Sequence, residues 1–169
     1  MINPVGSEEL KPLFVYDSSE HDHLSHEAES LPSIIISSGA AGNAVMMGAG
    51  YFTPLTGYMN LADGISCAEN MKTTDGKFFP VPVLNLVQDI SAIKDAKRIA
   101  LRDPNVEGHP VITIQDVEAI EEVSDEEMQL MTDKVYRTQD PEHPGVAAFN
   151  SQGRFAISGP IQVLSFSYF

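Results

Sequence analysis

Tryptophan is absent from this 169-residue sequence, cysteine occurs once, and Lys and Arg together number 10 against 24 acidic residues. Each shortage excludes something. A lone Cys67 forms no internal disulfide and supplies no multi-cysteine metal site, so the fold rests on packing and the expected compartment is reducing. Cys67 is equally unpromising as a nucleophile, because it sits in the apolar rhythm Ile65, Ala68, Met71 with no neighbouring base. A formal net charge of −14 repels phosphate backbones and the anionic membrane leaflet, so neither nucleic acid nor a membrane surface is an expected partner. No apolar stretch approaches the roughly 20 residues of a membrane span. Met1–Leu10 lacks the basic start and apolar run of a secretory signal, and the expected location is cytoplasmic.

What is present reads as one folded domain over residues 1–169: 43% hydrophobic residues, with 12 Gly and 11 Pro punctuating short elements. Met1 to Glu29 is polar, apart from an apolar island, Leu13–Tyr16, suited to an edge strand or extended arm. Ser33–Ser37 is a β-branched run bounded by Pro32 and Gly39, which predicts a short buried strand, followed by a helix capped by Ser38 and ended by Gly48 and Gly50. Tyr51–Met59 forms a compact apolar turn, and Asn60 caps a helix through Met71. Asp75-Gly76 predicts a hairpin between Met71–Thr73 and Phe78–Val87, with Pro80 and Pro82 confining the second strand to an edge. Lys97–Leu101 and Val111–Gln115 read as strands, and Val117–Val123 fits strand or helix. Ser124-x-x-Glu127 is a capping box that starts a helix burying Met128, Met131 and Val135, and Thr138–Gly145 is a polar turn. Phe155–Phe166 is the final strand, with Gly159-Pro160 inside it. Six or seven short strands with three short helices, without βαβ alternation or internal repeats, give an α+β, barrel-like domain. Apolar-polar alternation over Ile161–Phe169 fits either a terminal strand buried in the sheet or a polypeptide cut from something longer.

Chemistry is sparse. His21, His23 and His26 have an H-x-H-x-x-H spacing that could offer imidazoles to Zn or Ni, but the segment is polar and Ser-flanked, which favours a solvated face. His143, in Glu142-His143-Pro144-Gly145, is placed to bond turn backbone, and His109 lies in a Gly-Pro turn. Glu118, Glu121, Glu122 and Asp125–Glu127 read as one acidic solvated face. Lys94, Lys97, Arg98 and Arg102 read as ordinary surface. Neither a G-x-S-x-G elbow nor a phosphate-loop spacing occurs, and Gly48-Ala49-Gly50 follows a helix pattern rather than a strand. The residues themselves support an acidic α+β domain with no recognisable catalytic centre.

One stretch is more specific. Gly50-Tyr51-Phe52-Thr53-Pro54-Leu55-Thr56-Gly57-Tyr58-Met59-Asn60 resembles the G-x-F-S-P-L-x-G-F-M-N segment of the ATP sulfurylase (sulfate adenylyltransferase) family. The resemblance continues through Asp75-Gly76, Phe79-Pro80-Val81-Pro82-Val83, Val135–Thr138, His143-Pro144-Gly145-Val146 and Gly159-Pro160, over about Val5 to Phe169. Tyr51, Thr53 and Tyr58 replace residues of similar shape. The resemblance implies an N-terminal, β-rich PUA-like pseudobarrel with short peripheral helices, in which Gly50, Phe52, Pro54, Leu55, Gly57, Asp75, Gly76, His143, Pro144 and Gly145 are structural family positions. It implies no catalytic, cofactor-binding or metal residue here, since the family's Q-x-R-N-P-x-H-x-x-H motif is missing. ATP and sulfate, with Mg, would bind the following catalytic domain, which makes adenylyl sulfate and pyrophosphate or runs the reverse. This segment is then expected to be inactive alone. It would pack, through its aromatic terminal strand, on the catalytic domain (in cis or as a fragment) or on a neighbouring subunit of a homo-oligomer. The alternatives are a freestanding PUA-like module for RNA or protein, opposed for RNA by the charge, and a small metalloprotein using His21, His23 and His26.

Overall fold

One strand, β7, organises the sheet in this computed structural model, which describes residues 7 and 9–166. In chain order the elements are α1 (Ser18–Ser30), β1 (Ser33–Ile35), α2 (Ser38–Gly48), β2 (Gly57–Tyr58), α3 (Leu61–Asn70), β3 (Leu86–Val87), β4 (Arg98–Arg102), β5 (Val111–Asp116), β6 (Ala119–Glu122), α4 (Asp125–Tyr136), α5 (Pro144–Ser151) and β7 (Phe155–Val163). The sheet order is β1-β4-β5-β7-β2, with β3 and β6 also on β7. Along its nine residues β7 changes partners: its first half takes β6 and β3, and its second half takes β2 and β5. Gly159, at the changeover, has φ +135, a conformation that lets the strand bend and that a side chain resists. The result is an α+β pseudobarrel, as the family resemblance implies and in keeping with the barrel-like domain that the pattern of short strands predicts.

The main core lies inside this curved sheet, where Ile99, Leu101, Ile112, Ile157 and Val163 pack with Met47, Met128 and Met131 from the helices. A smaller core sits under α1, where Leu24 and Ala28, four residues apart on one face, cover Ala100 and Ile114 together with Val15. The Leu13–Tyr16 island does form an extended arm: Phe14 bridges Val163 in parallel, and Val15 N–H donates to Val163 O at 3.0 Å.

Side-chain caps start the helices where the sequence places them. Asn60 accepts from Asp63 N–H, and Ser124 and Glu127 form the full capping box. At α2 the cap is Ser37 rather than Ser38, one residue early. Two helices depart from expectation, so there are five among the described residues rather than three. α1 occupies the polar segment in which the sequence predicts no helix; Asp17 caps it, and only Leu24 and Ala28 are buried, too few apolar positions to show a period. α5 begins inside the presumed Thr138–Gly145 turn because His143 caps it and Pro144 takes its first position. The predicted hairpin shrinks to one bridge, Lys72 to Phe78, and β3 starts only at Leu86, beyond Pro80 and Pro82, which lack donors. Val117–Val123 resolves as β6. The final strand stops at Val163, and Ser167–Phe169 of the expected terminal strand lie outside the described residues.

Candidate functional site

The motif residues converge on a polar cleft of about 320 Å³ lined by Pro54–Asn60, Asp63, Thr73–Asp75, Lys77, Glu118 and Gly159-Pro160. Gly50 opens the segment at φ +84, where a Cβ would meet Pro12 at 3.2 Å. Thr53 then locks the turn, its hydroxyl donating to Gly50 O at 2.7 Å and accepting from Lys11 N–H at 3.0 Å. Phe52 packs edge-on against Phe79, with ring centres 5.5 Å apart. Gly57 and Gly159 are the closest approach: β2 lies so tightly on β7 that a Cβ on Gly57 would overlap Gly159 O and sit 2.6 Å from Pro160 Cα. Tyr58 reaches from the same strand to α2, donating its hydroxyl to Ala40 O at 2.7 Å; burial pushes its phenol far above the ordinary tyrosine range.

The opposite wall is the Thr73–Lys77 turn. Asp63 Oδ1 accepts from Thr74 N–H at 2.8 Å and from its hydroxyl at 2.6 Å. Asp75 pairs with Lys77 at 2.6 Å and accepts from Thr73 Oγ1; the Lys77 and Thr73 hydrogen bonds hold its carboxyl down at about 2. Three carboxylates, Asp63, Asp75 and Glu118, thus line the cleft with a single ammonium, Lys77, which is already paired with Asp75. This field repels anions, and no nucleophile-base pair lines the cleft. What the arrangement does is fasten β2, β7, α2 and α3 together.

The remaining expected residues lie elsewhere. His143 performs the backbone role its turn suggests: Nδ1 accepts from Gly145 and Val146 N–H at 3.2 and 3.4 Å, and the ring lies 5.6 Å from Tyr136. A Cβ on Gly145 would meet Tyr136 at 2.5 Å, which accounts for the glycine after Pro144. His21 turns inward to Leu164 O at 2.8 Å while His23 and His26 are exposed, and among the described residues no group of three His, Cys, Asp or Glu side chains is arranged to hold a metal. Cys67 is fully buried on α3, and burial, with a smaller push from the Asp63 carboxylate, raises its thiol to about 11. The basic cluster needs a correction. Lys94 and Lys97 are ordinary surface, but Arg98 ties α1 to the sheet through Glu27 and Asp116, both at 3.2 Å, and Gln162 at 2.5 Å. Glu121 also leaves the solvated face, its carboxylate accepting from Leu61 N–H at the start of α3 at 2.9 Å. Sequence patterns do not reveal the buried pair Asn85 and Gln115, in which Asn85 donates to Gln115 at 3.2 Å and Gln115 donates to Ile157 O at 3.0 Å inside the barrel.

Against known proteins, residues 2–166 match the family model described as PUA-like domain. The chain belongs to that family. It is 68% identical over 169 residues to the sulfate adenylyltransferase of Allochromatium vinosum, covering 100% of this chain and 43% of the relative. For the sulfate adenylyltransferase of the Riftia pachyptila sulfur-oxidizing endosymbiont the figures are 65% identity, 100% and 38%. The chain therefore spans about two fifths of these relatives. Among solved structures, the hexameric APS kinase from Thiobacillus denitrificans superposes with a TM-score of 0.68 at 23% identity, over 100% of this chain and 28% of that one, a likeness of fold.

Proposed function

We propose that this chain is the N-terminal, PUA-like part of a cytoplasmic sulfate adenylyltransferase, and that it supports the catalytic part of that enzyme without performing chemistry itself. The observation that carries this reading is the use of the motif: Gly50, Phe52, Thr53, Gly57, Tyr58 and Asn60 are each spent on backbone crossings, caps or packing. The enzyme's reaction, ATP plus sulfate to adenylyl sulfate plus pyrophosphate or its reverse, demands positioning and neutralisation of two anions. A −14 chain whose motif cleft is lined by Asp63, Asp75 and Glu118, with its one lysine, Lys77, paired to Asp75, opposes that gathering. ATP, sulfate and Mg therefore bind elsewhere, on the catalytic part.

The contact with that part is aromatic. Phe14 stacks on Phe166 at 4.8 Å and meets Tyr16 edge-on at 4.9 Å, and Tyr16 and Phe166 are 73% and 41% exposed. An exposed aromatic cluster of this kind marks an interface rather than a solvated face. Catalytic chain in cis, or a neighbouring copy in a homo-oligomer, would cover it.

The test is ATP formation from adenylyl sulfate and pyrophosphate. The 169-residue chain is expected to give none above buffer, and the same chain extended through an in-frame Q-x-R-N-P-x-H-x-x-H segment of its own gene is expected to turn over. Turnover by the short chain, a stop codon directly after Phe169, or salt-dependent RNA binding by the short chain would each overturn the proposal.

A further inference from the structure

β1 ends the sheet. It pairs on one side only, in parallel with β4, and that side uses alternate residues: Ala100 N–H donates to Pro32 O and Ile36 N–H donates to Arg102 O. By the geometry of a parallel ladder, the backbone groups of Ser33 and Ile35 then face the other way. They face a cleft of about 850 Å³, well over twice the volume of the motif cleft. Its far wall is Leu86–Asp89, which includes β3, itself paired only with β7. The cleft is therefore a gap in the pseudobarrel wall between two strands that each lack one neighbour.

The edge is unprotected in composition. Ser33-Ile34-Ile35-Ile36-Ser37 carries no charge, has strong β-propensity, and leaves Ile35 52% exposed. Exposed edges are normally blunted by lysine, by bulges or by a covering segment. Here Pro32 blocks the strand's entrance, shortness limits it, and Ala148 and Ser151 of α5 with the adjoining Gln152 wall part of the cleft, but no strand among the described residues pairs with its open side.

We propose that this gap receives an extended segment of the same polypeptide, drawn from the part of the enzyme beyond this domain, which pairs with β1 and fills the opening toward β3. The proposal rests on the reading under Proposed function. What selects this occupant is length: relatives at 68% and 65% identity match every residue of this chain, yet more than half of each relative is further chain. Main-chain hydrogen bonds to Ser33 and Ile35 would supply affinity, and an apolar side chain against the half-exposed Ile35 would supply register. The rim offers Arg102, whose guanidinium already donates to Ser33 Oγ at 2.9 Å and His109 O at 3.0 Å, and Gln88, whose amide already donates to Ser151 O at 3.0 Å. An acidic or amide residue of the segment would meet them.

Amide hydrogen exchange tests this in the 169-residue chain and in the chain extended to the end of its reading frame. In the short chain Ser33 and Ile35 amides are expected to exchange as exposed groups, and in the extended, catalytically active chain to slow at least 100-fold, with Ala44 in α2 unchanged. Ile35→Lys, at a half-exposed position, is expected to leave the short chain's melting temperature unchanged and to abolish the added protection in the extended chain. Unchanged exchange at Ser33 and Ile35 in an active extended chain overturns the inference and leaves the functional reading standing. A reading frame that stops at Phe169 overturns both. Protection already present in the short chain, with a doubled mass, assigns the edge to a second copy and overturns the segment.

Discussion

Gly57→Ala isolates the crossing on which the motif cleft depends. The added methyl would overlap Gly159 O and lie 2.6 Å from Pro160 Cα, and both obstacles are backbone of the strand that organises the sheet, so neither yields by a rotamer change. Relief requires β2 to lift from β7. That movement strains the Tyr58 bond to Ala40 O and the Met59 N–H bond to Val83 O, both anchored close by. Overpacking alone costs about 1–3 kcal/mol, and weakening a buried hydrogen bond adds about 1 kcal/mol, so the expected loss is about 3 kcal/mol. In a domain of this size that corresponds to a fall of about 6–12 °C in melting temperature. Gly76→Ala is the control: its φ of +87 carries only conformational strain, since nothing lies within 4 Å of an added Cβ, and about 1 kcal/mol is expected. The assay is reversible urea unfolding of the 169-residue chain followed by circular dichroism, with both variants in parallel. Gly57→Ala unfolding within 1 kcal/mol of the parent, or no worse than Gly76→Ala, would refute the steric reasoning.

Alkaline stability follows from Tyr58 and Cys67. Burial raises the Tyr58 phenol above its ordinary value of 10.0 and the Cys67 thiol from 9.0 to about 11, so the unfolded chain loses each proton first; stability is intact below about pH 9, falls through Cys67 between 9.0 and about 11, and falls through Tyr58 above pH 10 by about 1.4 kcal/mol per pH unit. Tyr58→Phe should flatten the slope of unfolding free energy above pH 10 at a cost of about 1 kcal/mol at pH 7; an unchanged slope refutes the assignment. Cys67 should resist iodoacetamide in the native chain at pH 8 and react fully in denaturant, as read by mass spectrometry, because its thiol is buried and raised to about 11. Rapid native labelling would place it wrongly. His143→Ala should cost about 0.5–2 kcal/mol in urea unfolding by removing the α5 cap, and His143→Asn should recover most of it; equal losses would mean that the Tyr136 contact, not the cap, matters.

Legibility in the sequence tracked the range of the forces involved. Asn60, Ser124 and His143 act within three residues of themselves, and the sequence reveals their local roles. α1 and α5 are held by distant partners: α1 by Ala100 and Ile114 beneath it and by Arg98, α5 by its packing on α4, and neither has an apolar period of its own to announce it. Arg98 reads as surface because its partners, Glu27 and Asp116, are remote in sequence and met only once α1 folds over the sheet. Asn85 and Gln115 are invisible for the same reason, 30 residues apart and meeting only inside a closed barrel.

The motif's legibility has a different origin. A glycine is required where backbone meets backbone, and that requirement is absolute in a way that an apolar core position is not, since cores accept many residues of similar volume. Gly57 and Gly159 lie about 100 residues apart, so no local propensity links them, yet a side chain on Gly57 is forbidden by Gly159 O and one on Gly159 by Asp116 O. A recurring pattern built from such crossings advertises a shape rather than a reaction. That is why the most recognisable stretch of this chain is spent on strand crossings, caps and packing.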